Sequence, residues 1–386
     1  MPKALFYSSE GCPFECPVKW LVLQEWGLKA RLQYKDDKAI PSEPAIKSHK
    51  LGEFELIRDI FKTRAEQMMK AKPQHAPLLG IGDDGAVIAS RPNEELVITT
   101  DMLVADRHFF ADADPYLVGK KSLAVNLSDL AAMGAKPTGF TLALALPKQR
   151  QAWLHGFANG LFDLAELFDC HLIGGDTCQG PLTISITAFG VIPKGQAIKR
   201  SGAQVGDSIW VSGELGDARL ALAHHRNEWS LDLESKDLDQ VNQRLHSPVP
   251  RVALGIALRG IATSALDISD GLLGDLRHIL EASHVGAQIN IDALPRSQVL
   301  RRQAQAIQYQ CAASGGDDYE LCFTTNPNQH DNIAKLSVEL GLPLTRIGQI
   351  IKPQDENSVI LENSDGVPLS PEQTKELQRS FDHFRD

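Results

Sequence analysis

The spacing of apolar residues predicts a chain in which strands and helices alternate, so the fold class is α/β or α+β. Segments rich in β-branched and large apolar residues indicate strands at 97–101, 139–146 and 182–192. A helical pattern at 153–168 lies between the second and third of these strands. The chain has 386 residues, enough for two domains, and its 43% hydrophobic and 23% charged residues are ordinary for a globular protein.

Charge and apolar patterning exclude several classes of protein. A net charge of -10 and a pI near 5.7 argue against a nucleic-acid surface, and no basic tract suggests one. No apolar run approaches the roughly 18 residues of a membrane span, and the start of the chain lacks the pattern of a secretion signal. The six cysteines show neither disulfide-framework density nor zinc-ligand spacing. We therefore expect a soluble cytoplasmic protein with reduced cysteines.

Composition shifts divide the chain into three parts. Residues 1–50 are predicted to be an N-terminal extension outside the core, because so short a segment cannot bury a core of its own. A first domain is expected at 51–197, beginning where the apolar helical pattern at 52–61 starts. A second domain is expected at 198–386, with a polar, acidic insertion at 227–240 that shows no clear periodicity.

One helix combines an apolar row with a polar face. It is predicted to begin after the N-cap Asp114, and its apolar row includes Leu127 and Leu130. Asn126 and Asp129 align on the adjacent face. A carboxylate in such a core-like helix is costly unless a cation or a hydrogen-bond donor meets it. Asp129 therefore either caps a neighbouring loop or binds a cation.

Small residues, often glycine, stand beside a carboxylate at several strand ends and helix starts. The carboxylates that share this pattern are Asp84, Asp101, Asp129, Asp176, Asp267 and Asp270. If they converge they must hold cations, because like charges a few ångströms apart repel strongly in a partly buried site. All-oxygen ligands without paired His or Cys select Mg²⁺ or Ca²⁺, and several carboxylates around Mg²⁺ indicate a phosphate ligand. Each motif by itself also fits an Asp-capped turn.

The chain lacks the motifs of common nucleotide enzymes. It has no Walker A sequence, no dinucleotide-binding Gly-x-Gly-x-x-Gly after a strand, and neither His-Arg-Asp nor Asp-Phe-Gly. Gly271 is predicted to open a helix whose N-terminus favours an anion. Arg200 and either Lys120 or Lys121 can supply counter-charge. The residues therefore favour metal-assisted phosphate chemistry outside the P-loop and protein-kinase classes.

The order of these motifs along the chain resembles the thiamine-monophosphate kinase family, part of the aminoimidazole-ribonucleotide-synthetase-like superfamily. The resemblance covers nearly everything from 51 to 384. The motifs that carry it are Gly80-Ile81-Gly82-Asp83-Asp84, Thr100-Asp101, the segment 124–134, Gly174-Gly175-Asp176-Thr177, Arg200-Ser201-Gly202-Ala203, Asp267-Ile268-Ser269-Asp270-Gly271 and Gly316-Asp317-Asp318-Tyr319-Glu320-Leu321.

The resemblance implies an α+β fold of two domains and a homodimer. The N-terminal domain sheets would pair into a dimeric barrel, flanked by an α+β C-terminal domain. The implied reaction transfers the γ-phosphoryl group of ATP directly to thiamine monophosphate, giving thiamine diphosphate and ADP with the help of Mg²⁺. The acceptor phosphate is already anionic near neutral pH, so no catalytic base is expected.

The resemblance also assigns roles by position. The implied Mg²⁺ ligands are Asp84, Thr99, Thr100, Asp101, Asp129, Asp176, Asp267 and Asp270. The implied ATP contacts are Gly175, Asp176, Arg200 and Ser269, and the implied contacts to thiamine phosphate are His108, Asp317 and Phe381. Asp317 stands where the family motif more often has glutamate, so we expect a shorter-ranged or water-mediated contact there.

Two alternatives stay open at this point. The chain could be another ATP-using enzyme of the superfamily, such as aminoimidazole ribonucleotide synthetase or selenophosphate synthetase. The latter normally needs a reactive cysteine in a glycine-rich N-terminal segment, which Cys12 and Cys16 imitate only vaguely. The chain could instead be a nucleotide sensor without catalysis, although none of the expected carboxylates is missing from the sequence.

Overall fold

The computed structural model describes residues 57–73, 76–78, 80–81, 86, 88, 92–148, 150–353 and 359–377. The predicted extension at 1–50 lies outside the described residues, as do Asp84 and Phe381, so these predictions stay predictions. Within the described residues, no helix combines the length and the apolar character needed to cross a membrane. The cytoplasmic location remains a prediction.

The first domain consists of one four-stranded sheet with helices packed against it. Its elements are, in chain order, a π-helical turn (Ile57–Lys62), α1 (Thr63–Ala71), β1 (Glu94–Val104), α2 (Pro115–Ala132), β2 (Lys136–Leu146), α3 (Gln151–Phe168), β3 (His171–Gln179) and β4 (Thr183–Pro193). The strand order is β1-β4-β2-β3, in which β4 is antiparallel to β1 and β2, and β3 is parallel to β2. The three predicted strands and the predicted helix are confirmed. The described strands form an open sheet and no closed barrel, so the dimeric barrel is not shown.

Helix α2 is the central element of the first domain. Asp114 caps its start by accepting a hydrogen bond from the N–H of Tyr116 (2.9 Å). Leu127 and Leu130 are fully buried, as predicted, and each such side chain contributes about 2 kcal/mol of hydrophobic stabilisation. A Cβ on Gly160 of α3 would lie 1.8 Å from the carbonyl oxygen of Tyr116. The two helices therefore pack with their backbones in contact at this point.

The second domain contains one six-stranded sheet, of order β10-β7-β9-β5-β8-β6. Its elements are β5 (Ser208–Ser212), α4 (Asp217–Arg226), α5 (Ser235–His246), α6 (Val252–Ala257), β6 (Ala262–Asp267), α7 (Leu272–Ser283), β7 (Gly286–Asn290), α8 (Gln298–Arg301), α9 (Gln305–Ser314), β8 (Leu321–Thr325), α10 (His330–Leu340), β9 (Leu344–Ile351), β10 (Val359–Glu362) and α11 (Pro371–Leu377), with 3₁₀ turns at Ile291–Ala293 and Pro327–Gln329. Both sheets are mainly antiparallel, which gives the α+β class. The predicted division at 197 and 198 falls between the two sheets and remains a prediction.

The insertion at 227–240, in which the sequence shows no clear periodicity, is partly helical. Helix α5 starts inside it, after a capping box formed by Glu234 and Asp237. Val241 and Leu245, one turn apart, bury the apolar side of this helix. Both residues lie beyond position 240, so the apolar pattern typical of a helix becomes visible only after the insertion ends.

The two domains meet at the C-terminal end of α2. A Cβ on Gly255 of α6 would lie 2.0 Å from the carbonyl oxygen of Ala131, so the two helices touch backbone to backbone. Arg259 Nε donates a hydrogen bond to the carbonyl oxygen of Gly134 (2.6 Å). Helix α2 also packs against β6. The last turn of α2, which carries Asp129, is therefore held beside the second domain.

Candidate active site

Carboxylates from both domains converge where α2 meets β6. Asp101 lies near the end of β1, Asp129 in the last turn of α2 and Asp267 at the end of β6; we call these three the carboxylate cluster. Thr99 Oγ1 donates a hydrogen bond to Asp129 Oδ2. Burial, followed by the negative charges of Asp129 and Asp270, raises the pKa of Asp101 to about 7. The cluster therefore resists the simultaneous ionisation of its members.

The other two members show the same imbalance of charge. Burial raises the pKa of Asp267 well above its ordinary value, and the charge of Asp129 raises it further. Burial also raises the pKa of Asp129, although the hydrogen bond from Thr99 and the positive charge of Arg200 act in the opposite direction. Buried carboxylates whose pKa values rise for these reasons are typical of sites that bind cations or protons.

Alternation along β1 separates the two threonines predicted as ligands. Thr99 lies on the face that meets α2, whereas successive side chains of a strand point to opposite faces and Thr100 lies on the other one. Thr100 Oγ1 donates to the carbonyl oxygen of Ile186 (3.1 Å) and accepts from Thr187 Oγ1 (3.2 Å). Its hydroxyl is thus engaged within the sheet. Thr99 supplies the hydroxyl beside the carboxylate cluster.

Asp275, which the sequence analysis missed, holds the loop between β6 and α7. Its Oδ2 accepts hydrogen bonds from the N–H groups of Ser269 (2.9 Å), Asp270 (3.0 Å) and Gly271 (3.1 Å). Burial, followed by the charge of Asp270, raises the pKa of Asp275 to about 7. The anion that the start of α7 attracts is therefore a carboxylate of the chain itself, which fixes Ser269 and Asp270 in place. An aspartate in the first turn after a glycine was the available signal.

The remaining predicted ATP contacts, Gly175, Asp176 and Arg200, differ in their surroundings. A Cβ on Gly175 would lie 2.0 Å from the carbonyl oxygen of Leu142, so β2 and β3 require glycine there. Asp176 is exposed on β3, where its Oδ1 accepts the N–H of Thr177 (2.9 Å). Strands β3 and β1 are the two edges of the first sheet, so Asp176 and Asp101 lie on strands at opposite edges. Arg200 follows β4 and is exposed. Its positive charge acts on the carboxylate cluster by lowering the pKa of Asp129.

The structure brings two of the predicted acceptor contacts together. His108 Nδ1 accepts the N–H of Val104 (3.0 Å), so the neutral imidazole carries its proton on Nε2. Lys121 Nζ lies 2.9 Å from Asp317 Oδ1 and donates to the carbonyl oxygen of His108 (3.2 Å). The N–H of Asp317 donates to the carbonyl oxygen of Ser269 (2.8 Å). The predicted acceptor residues are thereby connected to the loop predicted to contact ATP.

A buried charge network anchors the chain just after Asp317. Glu320 is fully buried, and burial raises the pKa of its carboxyl, but the charges of Arg251 and Arg244 outweigh this and lower it. Arg244 Nη2 lies 2.6 Å from Glu320 Oε1, and Arg251 Nε lies 2.6 Å from Oε2. Ser212 Oγ donates to Oε2 of the same carboxylate (2.5 Å). This pairing ties the loop before β8 to α5 and to β5.

The donors present fit Mg²⁺ that is held partly by phosphate. The side chains of the carboxylate cluster offer oxygen atoms alone, which suits a hard cation. Within the residues that the structure describes, no three His, Cys, Asp or Glu side chains are grouped so that they could hold a metal ion. Mg²⁺ is usually bound through one or two carboxylates plus substrate phosphates, not by an all-protein cage. An open arrangement of carboxylates is consistent with such a site.

Comparison with known proteins identifies the family. Residues 82–192 match "AIR synthase related protein, N-terminal domain", and residues 204–360 match "AIR synthase related protein, C-terminal domain". The thiamine-monophosphate kinase of Salmonella typhimurium is 42% identical over 336 residues, which cover 86% of this chain and 98% of that protein.

Solved structures agree with this family. The crystal structure of thiamine-monophosphate kinase from Stenotrophomonas maltophilia K279a matches with a TM-score of 0.73 and 44% identity, over 81% of this chain and 97% of that one. A structure described as AaThiL complexed with AMPPCP and TMP matches with a TM-score of 0.62 and 28% identity, over 84% of this chain and 99% of that one.

The fold and the sequence therefore define a two-domain α+β protein of the AIR synthase related family. In this chain, acidic side chains of both domains meet at the domain boundary. Within that family, the chain belongs to the thiamine-monophosphate kinases, because the identity extends over most of its length and nearly all of its relative's. The resemblance carried by the ordered motifs is thus confirmed.

Proposed function

We propose that this chain transfers the γ-phosphoryl group of ATP directly to thiamine monophosphate, giving thiamine diphosphate and ADP, as a step of thiamine diphosphate biosynthesis. Its membership of the thiamine-monophosphate kinases supports this, and makes the chain an enzyme and not a nucleotide sensor. The related AaThiL has been solved with AMPPCP and TMP. The observation on this chain that carries the proposal is the convergence of Asp101, Asp129 and Asp267, whose excess negative charge calls for cations beside the phosphates.

The donor side of the site would reduce the repulsion between two anionic substrates. Mg²⁺, when bound, would neutralise phosphate oxygens and help to align the two substrates. We propose as its ligands the residues implied by the motifs. Thr99, Asp101, Asp129, Asp267 and Asp270 lie at or beside the carboxylate cluster, whereas Asp84, Thr100 and Asp176 are proposed from the motifs alone. Arg200 adds a fixed positive charge next to Asp129, and Gly175 and Ser269 complete the proposed ATP contacts. No side chain has to remove a proton, because a phosphate monoester with a second pKa near 6 is already ionised at neutral pH.

The acceptor side would use His108, Asp317 and Phe381. Because Nδ1 of His108 accepts a main-chain N–H, its Nε2–H is a hydrogen-bond donor suited to a phosphate oxygen. Thiamine carries a cationic ring, which suits a carboxylate such as that of Asp317 and an aromatic face such as that of Phe381. The contact of Asp317 with the loop around Ser269 would keep acceptor and donor at a fixed separation.

We infer a homodimer from the uncovered face of the first sheet. Leu96, Ile98 and Met102 alternate along β1 on the face away from α2, and they are 54%, 59% and 58% exposed. Large apolar side chains side by side on one strand are typical of an interface. A second copy of the chain is the proposed partner. In sedimentation equilibrium we expect a dimer for the wild type and a monomer for Ile98→Lys, whereas the exposed Leu167→Lys on α3 should leave the dimer intact.

The test of the proposed reaction is ADP release by the purified protein with Mg²⁺ and ATP. Thiamine monophosphate is the expected acceptor, thiamine and an aminoimidazole ribonucleotide precursor are the controls, and EDTA gives the blank. We expect ADP and thiamine diphosphate in equal amounts, and only with thiamine monophosphate. ADP release with the aminoimidazole precursor, or none with any acceptor despite ATP binding, would contradict the proposal.

A further inference from the structure

Lys121 is a buried cation at the boundary between the two domains. Its residue surface is 3% exposed, although lysine is almost never fully buried unless it is paired. Its ammonium lies 2.9 Å from Oδ1 of Asp317 and donates to the carbonyl oxygen of His108 at 3.2 Å. Lys121 and His108 belong to the first domain, and Asp317 belongs to the second. One side chain therefore bridges the two predicted acceptor residues across the boundary.

The conformation of Asp317 gives this bridge a specific task. Asp317 has a φ of +66°, a left-handed conformation that few non-glycine residues adopt. Its main chain is held by the carbonyl oxygen of Ser269, while its carboxylate is paired with Lys121. Both charges act on His246 of the neighbouring helix α5. Burial lowers the pKa of His246 to about 4, the positive charges of Lys121 and His225 contribute to this, and the negative charge of Asp317 opposes it. Both charges of the pair therefore lie close enough to His246 of α5 to act on its pKa.

We propose that Lys121 is a positioning residue for the acceptor site. It holds the carboxylate of Asp317 in the orientation needed to bind thiamine monophosphate. The carbonyl oxygen of His108 fixes the ammonium on the first domain, and the ammonium fixes Asp317 on the second. Lys121 acts through Asp317 and does not itself contact the substrate. This inference rests on the proposed function, because it concerns the site of the same acceptor.

The test compares Lys121→Met with Lys120→Met. Methionine keeps the length of the chain but removes the charge, which leaves the carboxylate of Asp317 without its cation. Lys120, the other lysine considered as a counter-charge, is the matched control, because the structure places its ammonium over the ring of Tyr116, 5.8 Å from the centroid, where the carboxylate that acts on it is that of Asp163 on α3. We expect Lys121→Met to raise KM for thiamine monophosphate about tenfold or more, with KM for ATP within about twofold. Lys120→Met should change both values by less than about twofold, and Lys121→Arg should restore part of the loss.

A double variant separates positioning from direct contact. If Lys121 acts through Asp317, the double variant Lys121→Met/Asp317→Asn should have a KM for thiamine monophosphate less than about twofold above that of Asp317→Asn alone. A further tenfold rise in KM would show that Lys121 acts independently of Asp317 and would overturn the inference. An unchanged KM for thiamine monophosphate in folded Lys121→Met would do the same.

Failure of the proposed function can be distinguished from failure of the inference about Lys121, because in the first case the wild type would form no thiamine diphosphate at all. Circular dichroism and the unfolding midpoint show whether each variant is folded. Should Lys121→Met not fold, Lys121→Gln keeps a donor toward the carbonyl oxygen of His108 and carries the same expectations.

Discussion

The carboxylate cluster destabilises the metal-free protein, and Asp101→Asn should relieve part of that cost. A pKa that rises from 3.8 to about 7 corresponds, at about 1.4 kcal/mol per pH unit, to about 4 kcal/mol. Solvent screening at the partly exposed carboxylate reduces this figure. Asparagine has nearly the same shape and no charge, so we expect metal-free Asp101→Asn to be more stable than the wild type by about 2–3 kcal/mol at pH 8.

The pH dependence has a definite sign. The pKa of Asp101 is raised in the folded state, so the folded protein binds more protons than the unfolded chain between about pH 4 and pH 7. Stability is therefore lost as the pH rises through this window, and the loss is complete above pH 7. The advantage of Asp101→Asn should accordingly shrink to about 1 kcal/mol at pH 5. Adding Mg²⁺ at pH 8 should stabilise the wild type more than the variant, because bound cations compensate for the charge that asparagine lacks.

Urea unfolding in EDTA, followed at pH 5 and pH 8, measures these differences. Asp112→Asn is the control, since Asp112 is an exposed aspartate in the turn that follows β1. The reasoning is refuted if Asp101→Asn is no more stable than the control at pH 8, or if its advantage is the same at both pH values. Either result would mean that the charge of Asp101 is already neutralised in the metal-free protein.

Three further substitutions probe other parts of the argument. Asp129→Asn should lose turnover through loss of metal, and near-normal rates at saturating Mg²⁺ would contradict its role as a ligand. Gly160→Ala should lower the free energy of unfolding by about 2 kcal/mol or more, because the new Cβ would lie 1.8 Å from the carbonyl oxygen of Tyr116; an unchanged urea midpoint would show that α2 and α3 separate at little cost. Glu320→Gln should cost about 3 kcal/mol, because it leaves the guanidinium of Arg251 buried without its counter-ion, and the same unfolding assay would reveal a smaller loss.

Local sequence patterns predicted the strand and the helix that carry the site, but they did not predict which side chains of those elements meet. The strand ending near Asp101 and the capped helix carrying Asp129 were predictable, because each depends on residues close in sequence. Alternation along β1 also explains, after the fact, why Thr99 and not Thr100 offers its hydroxyl to Asp129. The sequence does not distinguish the two threonines, because the face of a strand that meets a helix depends on tertiary packing.

The contacts that complete the site join residues far apart in the chain, which no local pattern reveals. Lys121 and Asp317 are separated by nearly two hundred positions, yet they form one ion pair. Asp275 was missed because an aspartate in the first turn of a helix usually stabilises that helix alone. Here its carboxylate also holds the preceding loop, and the ordered motifs pointed to that loop through Ser269 and Asp270.

Charge balance, and not burial, distinguishes the carboxylate cluster from Glu320, a buried acid that two arginines neutralise. Glu320 is fully buried, but two arginines outweigh the cost of burial and lower its pKa, so its charge is satisfied by the protein itself. Burial raises the pKa values of Asp101 and Asp267, and in place of arginines they have carboxylate neighbours, which raise these pKa values further. A carboxylate paired like Glu320 holds loops in position whether or not substrate is present. Carboxylates without such partners repel one another and lower the stability of the metal-free protein. Mg²⁺ bound with the substrate would remove this destabilisation.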